Sequence, residues 1–195
     1  MKSTLKYTMI VMIISANCAF GQATFFFENY YPPEVNAPVS DANGNRLFGE
    51  HYVAVLYGGP TPDSLVIANA GSGSMSPVPF TATFSGQAGY FRRAGRVFVD
   101  NVPEAGYAWL QVRAWDTRLG ATYDDVMRLG VGGYGQSALF YTYGGEGIAT
   151  GIPPQPLRGL ESFSLVPEPS TWALLALGSG ILFWKCRRRV RSNDS

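Results

Sequence analysis

The nine residues Tyr107-Ala108-Trp109-Leu110-Gln111-Val112-Arg113-Ala114-Trp115 constrain the fold more than any other stretch of the chain. Ala108, Leu110, Val112 and Ala114 fill one set of alternate positions; Tyr107, Trp109, Gln111, Arg113 and Trp115 fill the other. A period of two separates these sets onto the two sides of a pleated strand, which a helix would not do. Such a strand needs partners, and the sequence offers several. Strands are expected at 23–28, 52–57, 80–84, 96–100, 138–143 and 160–165, with Thr81 and Thr83 alternating against Phe80, Ala82 and Phe84. Asn43-Gly44, Gly132-Gly133 and Gly144-Gly145 suit tight or left-handed turns between them. One short helix is expected over 122–129, between Gly120 and Gly130. Short strands at this spacing give an all-β domain, a β-sandwich or jelly roll, over 22–165.

The two ends follow different rules. Lys2 and Lys6 precede a short apolar run from Tyr7 to Ser15, and Ala19 and Gly21 place small residues before Gln22. The run is too short to span a bilayer, which takes about 20 residues, and residues 1–21 are read as a signal peptide cut before Gln22. Asn17 occupies the position before Cys18 where a lipoprotein signal wants a small residue. Both cysteines, Cys18 and Cys186, lie outside 22–165, so the exported domain is expected to do without disulfides.

At the other end, Val166-Pro167-Glu168-Pro169-Ser170-Thr171 precedes an apolar segment from Trp172 to Trp184. Arg187, Arg188, Arg189 and Arg191 follow it. The bracketing tryptophans suit the two membrane interfaces, and the arginines should stay cytoplasmic and hold the segment in place. A helix from Pro169 to Cys186 covers about 27 Å, so a transmembrane helix is expected over 170–186, with a basic tail over 187–195. The formal net charge of +1 hides this division: residues 22–166 hold eight arginines, no lysine and twelve acids, a net −4. That balance excludes a basic nucleic-acid-binding body.

Motif, apolar span and basic cluster, in that order over 166–195, closely resemble the PEP-CTERM sorting signal of Gram-negative bacteria. The resemblance rests on Val166, Pro167, Glu168, Pro169 and Ser170, the Trp172-Ala173-Leu174-Leu175 run with Gly178-Ser179-Gly180, and the terminal arginines. It implies export and anchoring by a single span, N-terminus outside. It also implies processing by an exosortase, a membrane-embedded cysteine transpeptidase that recognises the Pro-Glu-Pro region, and release to the envelope or beyond. Family members are commonly linked to exopolysaccharide or biofilm matrix. The tract from Leu110 to Asp116, with Gly89-Tyr90-Phe91 and the stretch Leu160 to Leu165, also resembles segments of exported PEP-CTERM proteins of verrucomicrobial type, which implies a shared β-domain.

Chemistry is sparse between the signals. His51 is the single histidine, and no GxSxG, HExxH or cysteine of 22–165 stands by to partner it. A zinc site of nitrogen and sulfur ligands is therefore not expected. Asp41, Asn43 and Asn45 carry oxygen ligands at alternate positions as calcium loops do, but the twelfth position is Tyr52, and a turn on Asn43-Gly44 is the simpler reading. Glu104, Asp116, Asp124 and Asp125 are acids that a glycoside hydrolase would need to bring together in pairs. Trp109, Arg113 and Trp115 share one side of their strand, so an exposed side would offer sugar rings a stacking platform, and a buried one would make the tryptophans core. The sequence thus points to a non-enzymatic structural or adhesive protein without cofactor, whose partner is an exosortase. An exopolysaccharide-binding module is the alternative and an extracellular hydrolase the third reading.

Overall fold

The computed structural model describes residues 22–74, 76–80, 87–91, 95–146 and 151–166. The expected signal peptide and transmembrane helix, Pro167, Glu168 and Pro169 of the sorting motif, the four C-terminal arginines and the expected strand residues 81–84 lie outside them. In chain order the strands begin β1 (Gln22–Phe26), β2 (Tyr30–Tyr31), β3 (Val35–Asn36), β4 (Val39–Ser40), β5 (Gly49–Gly59), β6 (Val66–Ile67), β7 (Asn69–Ala70) and β8 (Val78–Phe80). They continue with β9 (Arg96–Pro103), β10 (Tyr107–Asp116), the helix α1 (Tyr123–Leu129), β11 (Tyr134–Gln136), β12 (Phe140–Tyr143) and β13 (Phe163–Ser164). The described residues are thus mostly β with one short helix, as the alternation requires.

β10, the strand of strict alternation, is central to the larger sheet, in the order β11-β10-β5-β6, with β12 also on β10 and β8 on β5. It pairs antiparallel with β5 over its length, from Trp109↔Gly59 to Asp116↔Tyr52. Its other edge is shared: β12 covers Tyr107 to Leu110 and β11 covers Arg113 to Trp115. Ser137 closes the gap between them at Val112, where its backbone N–H donates to the Val112 carbonyl at 2.9 Å and its Oγ accepts from the Val112 N–H at 3.0 Å. No buried backbone group of β10 is orphaned there.

The second sheet, β1-β9-β7, packs its inner residues against the inner face of the first. Ala108, Leu110, Val112 and Ala114 are completely buried there, in one cluster with Ala23, Phe25, Val97 and Val99. The approach is tight at Gly58, where a Cβ would come within 2.7 Å of Val99 Cγ2 and 2.9 Å of Leu110 Cδ2. Phe27, Phe80 and Phe91 close one end of the core, with Phe91 4.7 Å from Phe27 and edge-on to Phe80 at 5.4 Å.

Asn29 is a buried strut that carried no signal in the sequence. Its Nδ2 donates to the carbonyls of Ala37 at 2.8 Å and Gly89 at 2.9 Å, and its Oδ1 accepts the Phe91 N–H at 2.8 Å. The expected turn at Asn43-Gly44 forms with Gly44 at φ 84°, which favours glycine. Gly144 and Gly145, expected in a tight or left-handed turn, have no positive φ, and both sit where another chain segment presses in, Gly144 on Ala23 and Phe25, Gly145 on the Pro153 carbonyl. The last expected strand, 160–165, shortens to β13, which runs parallel to β4 through Phe163↔Val39 and Ser164↔Ser40.

Candidate functional site

The outer face of β10 is divided in two. Its lower half, toward Asp116, is covered by α1. Thr122 caps this helix by accepting the Asp125 N–H on its side chain, Asp124 and Asp125 lie in the first turn, and Gly130 ends it in the left-handed conformation. The helix lays Tyr123 and Val126 over Trp115, Val53 and Val55 as a second buried cluster. Trp115 is 4% exposed, edge-on to Tyr123 at 6.5 Å. Burial pushes the Tyr123 hydroxyl pKa up, against the opposing effect of the nearby Arg113 charge.

Arg113 marks the boundary. Its guanidinium lies 3.9 Å from the Tyr57 ring centroid and 5.2 Å from that of Tyr123, and its Nε donates to Gln111 Oε1 at 3.0 Å. Gln111 in turn donates to the Ser137 carbonyl at 3.2 Å, so both are wedged into the sheet surface.

The upper half is open. Tyr107 and Tyr141 are 56% and 54% exposed and stack at 5.2 Å with 21° between their planes. Tyr143 meets Tyr107 edge-on at 5.4 Å, and half-buried Trp109 leans on Tyr141 at 5.1 Å. Of the three residues Trp109, Arg113 and Trp115 on this side, Trp115 belongs to the core, Arg113 is a strut, and Trp109 joins tyrosines from β12. The alternation in Phe140-Tyr141-Thr142-Tyr143 is visible in the sequence, but its register against Tyr107 to Leu110 is not. Flat aromatic faces of this kind offer negative quadrupoles to the C–H groups of a sugar ring.

The opposite end of β10 holds the exit of the chain toward the sorting motif. Leu165 N–H donates to the Ser40 carbonyl at 2.9 Å, Val166 N–H to the Tyr134 carbonyl at 2.7 Å, and Gly133 N–H to the Val166 carbonyl at 3.1 Å. A polar cavity of about 310 Å³ opens beside Val166, lined by Asp41, Asn43, Tyr52, Asp116 and Gly133 among others.

The two carboxylates of that cavity are already engaged. Asp41 Oδ1 accepts the N–H groups of Asn43 and Asn45, each at 2.8 Å, and its Oδ2 accepts Asn45 Nδ2 at 3.1 Å. Desolvation raises the Asp41 pKa, but these hydrogen bonds outweigh it and hold the carboxyl below its usual value. Asp41 and Asn45 thus spend their groups on the turn. Asp116 is 3% exposed and takes Arg118 Nε at 2.9 and 3.0 Å. Here too burial raises the pKa, while the Arg118 hydrogen bonds and charge, with a smaller contribution from His51, bring it down overall. The His51 ring lies 4.3 Å from that of Tyr52, and its carbonyl accepts from Thr117 N–H and Oγ1.

Glu104 follows β9, just before Tyr107, whereas Asp116 ends β10, so these acids lie at opposite ends of a ten-residue strand. Asp125 bonds Thr122 Oγ1 and Arg128. Among the described residues, no group of three or more His, Cys, Asp or Glu is placed to hold a metal ion. Among those residues, too, no helix is long and apolar enough to cross a membrane.

Comparison with known proteins bears on the exit end. A family profile described as the PEP-CTERM protein-sorting motif matches residues 165–189. No curated protein and no solved structure gave a match. The profile begins at Leu165, the residue bonded to Ser40, and runs through the Pro-Glu-Pro motif, the apolar segment and three of the arginines. The chain thus carries a PEP-CTERM sorting motif at its C-terminal end, which implies export and targeting to an exosortase.

Proposed function

We propose that the chain is a cell-envelope or extracellular-matrix protein of structural or adhesive type, not an enzyme. A helix over 170–186 holds it in the inner membrane, basic tail cytoplasmic, until the exosortase processes it. The observation that carries the sorting part of this reading is the match over 165–189, whose first residues, Leu165 and Val166, are bonded into the domain. The close approach of the two sheets at Gly58 and Val99 suits a rigid exported body. Asp41 and Asp116, the acids of the exit cavity, are committed to a turn and to Arg118, which supports a non-catalytic role.

Replacing Pro167, Glu168 and Pro169 by alanine is expected to leave an unprocessed form of higher mass in the membrane fraction of cells that contain the exosortase. An unchanged mass and distribution would refute the reading. The open aromatic surface favours a second reading, in which Tyr107, Trp109 and Tyr141 bind exopolysaccharide. Glycan binding that survives Trp109→Ala and Tyr141→Ala would remove it.

A further inference from the structure

The two ends of β10 face different surroundings while the chain is anchored. Val166 is bonded to Tyr134 and Gly133, so the folded domain extends to the residue before Pro167. Five residues, Pro167 to Thr171, separate it from Trp172, where the apolar segment starts. Even fully extended, that tether reaches no more than about 20 Å. In the anchored chain the exit end of the domain therefore stays within about 20 Å of the start of the apolar segment. Tyr107 and Tyr141 lie at the other end of β10, about 30 Å of strand away.

The exit end carries an exposed apolar series that the fold does not use. Met127, Leu129 and Val131 are exposed at the end of α1 and in the turn after it, two residues from the Gly133 that bonds Val166, which is itself exposed. Leu129 is 57% exposed although the same helix buries Tyr123 and Val126 completely or nearly so. The cation within this series, Arg128, pairs with Asp125 at 2.9 Å, and Asp124 lies exposed in the same helix, so the surface carries no net positive charge. Any attraction of this surface to a membrane is therefore apolar rather than ionic.

We propose that Met127, Leu129 and Val131 rest on the lipid surface while the chain is anchored, and fix the domain upright with its aromatic end outward. The short tether and the exposed series together commit the surface to lipid. The proposal rests on the anchoring reading above.

The test uses the full-length chain, with Cys18→Ser and Cys186→Ser, in vesicles of phosphatidylethanolamine and phosphatidylglycerol. A polarity-sensitive fluorophore is attached at Leu129→Cys or, as control, at Tyr141→Cys; both sites are exposed and their replacement leaves the core intact. The Leu129 probe is expected to be several-fold less accessible to iodide than the Tyr141 probe. It should be quenched by nitroxide-bearing lipid and be unchanged in high salt. Equal iodide access at both sites, with the protein floating with the vesicles, overturns the contact and leaves anchoring standing. Protein that does not float overturns both. Shielding that needs added exosortase overturns the lipid contact in favour of a protein one.

Discussion

Trp109 and Trp115 point to the same side of one strand, yet truncating them should have opposite consequences. Trp115 sits between Val53 and Tyr134 on its neighbouring strands and beneath Tyr123 and Val126 of α1. Trp115→Ala empties an almost wholly buried ring site, a loss of about 3–5 kcal/mol. Trp109 is half-buried and its main ring contact is Tyr141, so Trp109→Ala should cost only about 1 kcal/mol. A third variant sharpens the contrast. The Trp115 indole N–H is buried with no acceptor among the described residues, and an unmet donor costs ~1–3 kcal/mol. Trp115→Phe removes that penalty while giving up part of the ring volume, which costs a similar amount, so the net change should stay within about 1 kcal/mol. Urea unfolding of the detergent-solubilised full chain, followed by far-ultraviolet circular dichroism, measures all three. If Trp115→Ala proved no worse than Trp109→Ala, the helix would not be the cover over this half of the sheet. If Trp115→Phe were as costly as Trp115→Ala, the indole N–H would have to be bonded in the native state.

Three further outcomes follow from local geometry. Gly58→Ala drives a methyl into Val99 and Leu110 and should destabilise by about 1–3 kcal/mol in the same urea assay. Thr122→Ala removes the acceptor of the Asp125 N–H, and should cost about 1 kcal/mol and raise amide exchange along α1. Asp116 has a depressed pKa in the fold, so its stabilisation is present above the unfolded value near 3.8 and disappears as pH falls through the folded value. Asp116→Asn should therefore be less stable than wild type at neutral pH and lose less on acidification below about pH 4, measured as urea midpoints across that range.

How far the sequence could be read depended on whether a signal was local. The alternation of β10 specified both its faces, and Ala108, Leu110, Val112 and Ala114 are buried as it requires. Gly120 and Gly130 delimited α1, expected over 122–129 and formed over Tyr123–Leu129. Pairing depends instead on residues distant in the chain. The strands β2, β3, β4, β6 and β7 contain two residues each, too few for any period to show. Asn29 satisfies three backbone groups from Ala37, Gly89 and Phe91, none of which marks it in the sequence. The same distinction decided the aromatic face. Alternation placed Trp109 and Trp115 on one side, but only α1 folding back over Trp115, and β12 arriving beside Trp109, determine which of them meets solvent.

Fusion of the domain to its sorting motif also restricts where processing can fall. Phe163 and Ser164 pair with β4, Leu165 is buried and bonded to Ser40, and Val166 is held by Gly133 and Tyr134. A cut between Leu160 and Val166 would detach these residues, uncover the Leu165 site and leave the carbonyls of Ser40 and Tyr134 without their donors. A cut at Pro167 or beyond keeps every one of these bonds. An exported protein that must stay folded after release therefore favours the second, and the intact mass of the processed form should include Val166. A shorter product that remains folded would show that β13 is dispensable, and that the contacts of Leu165 and Val166 do not hold the end of the sheet together.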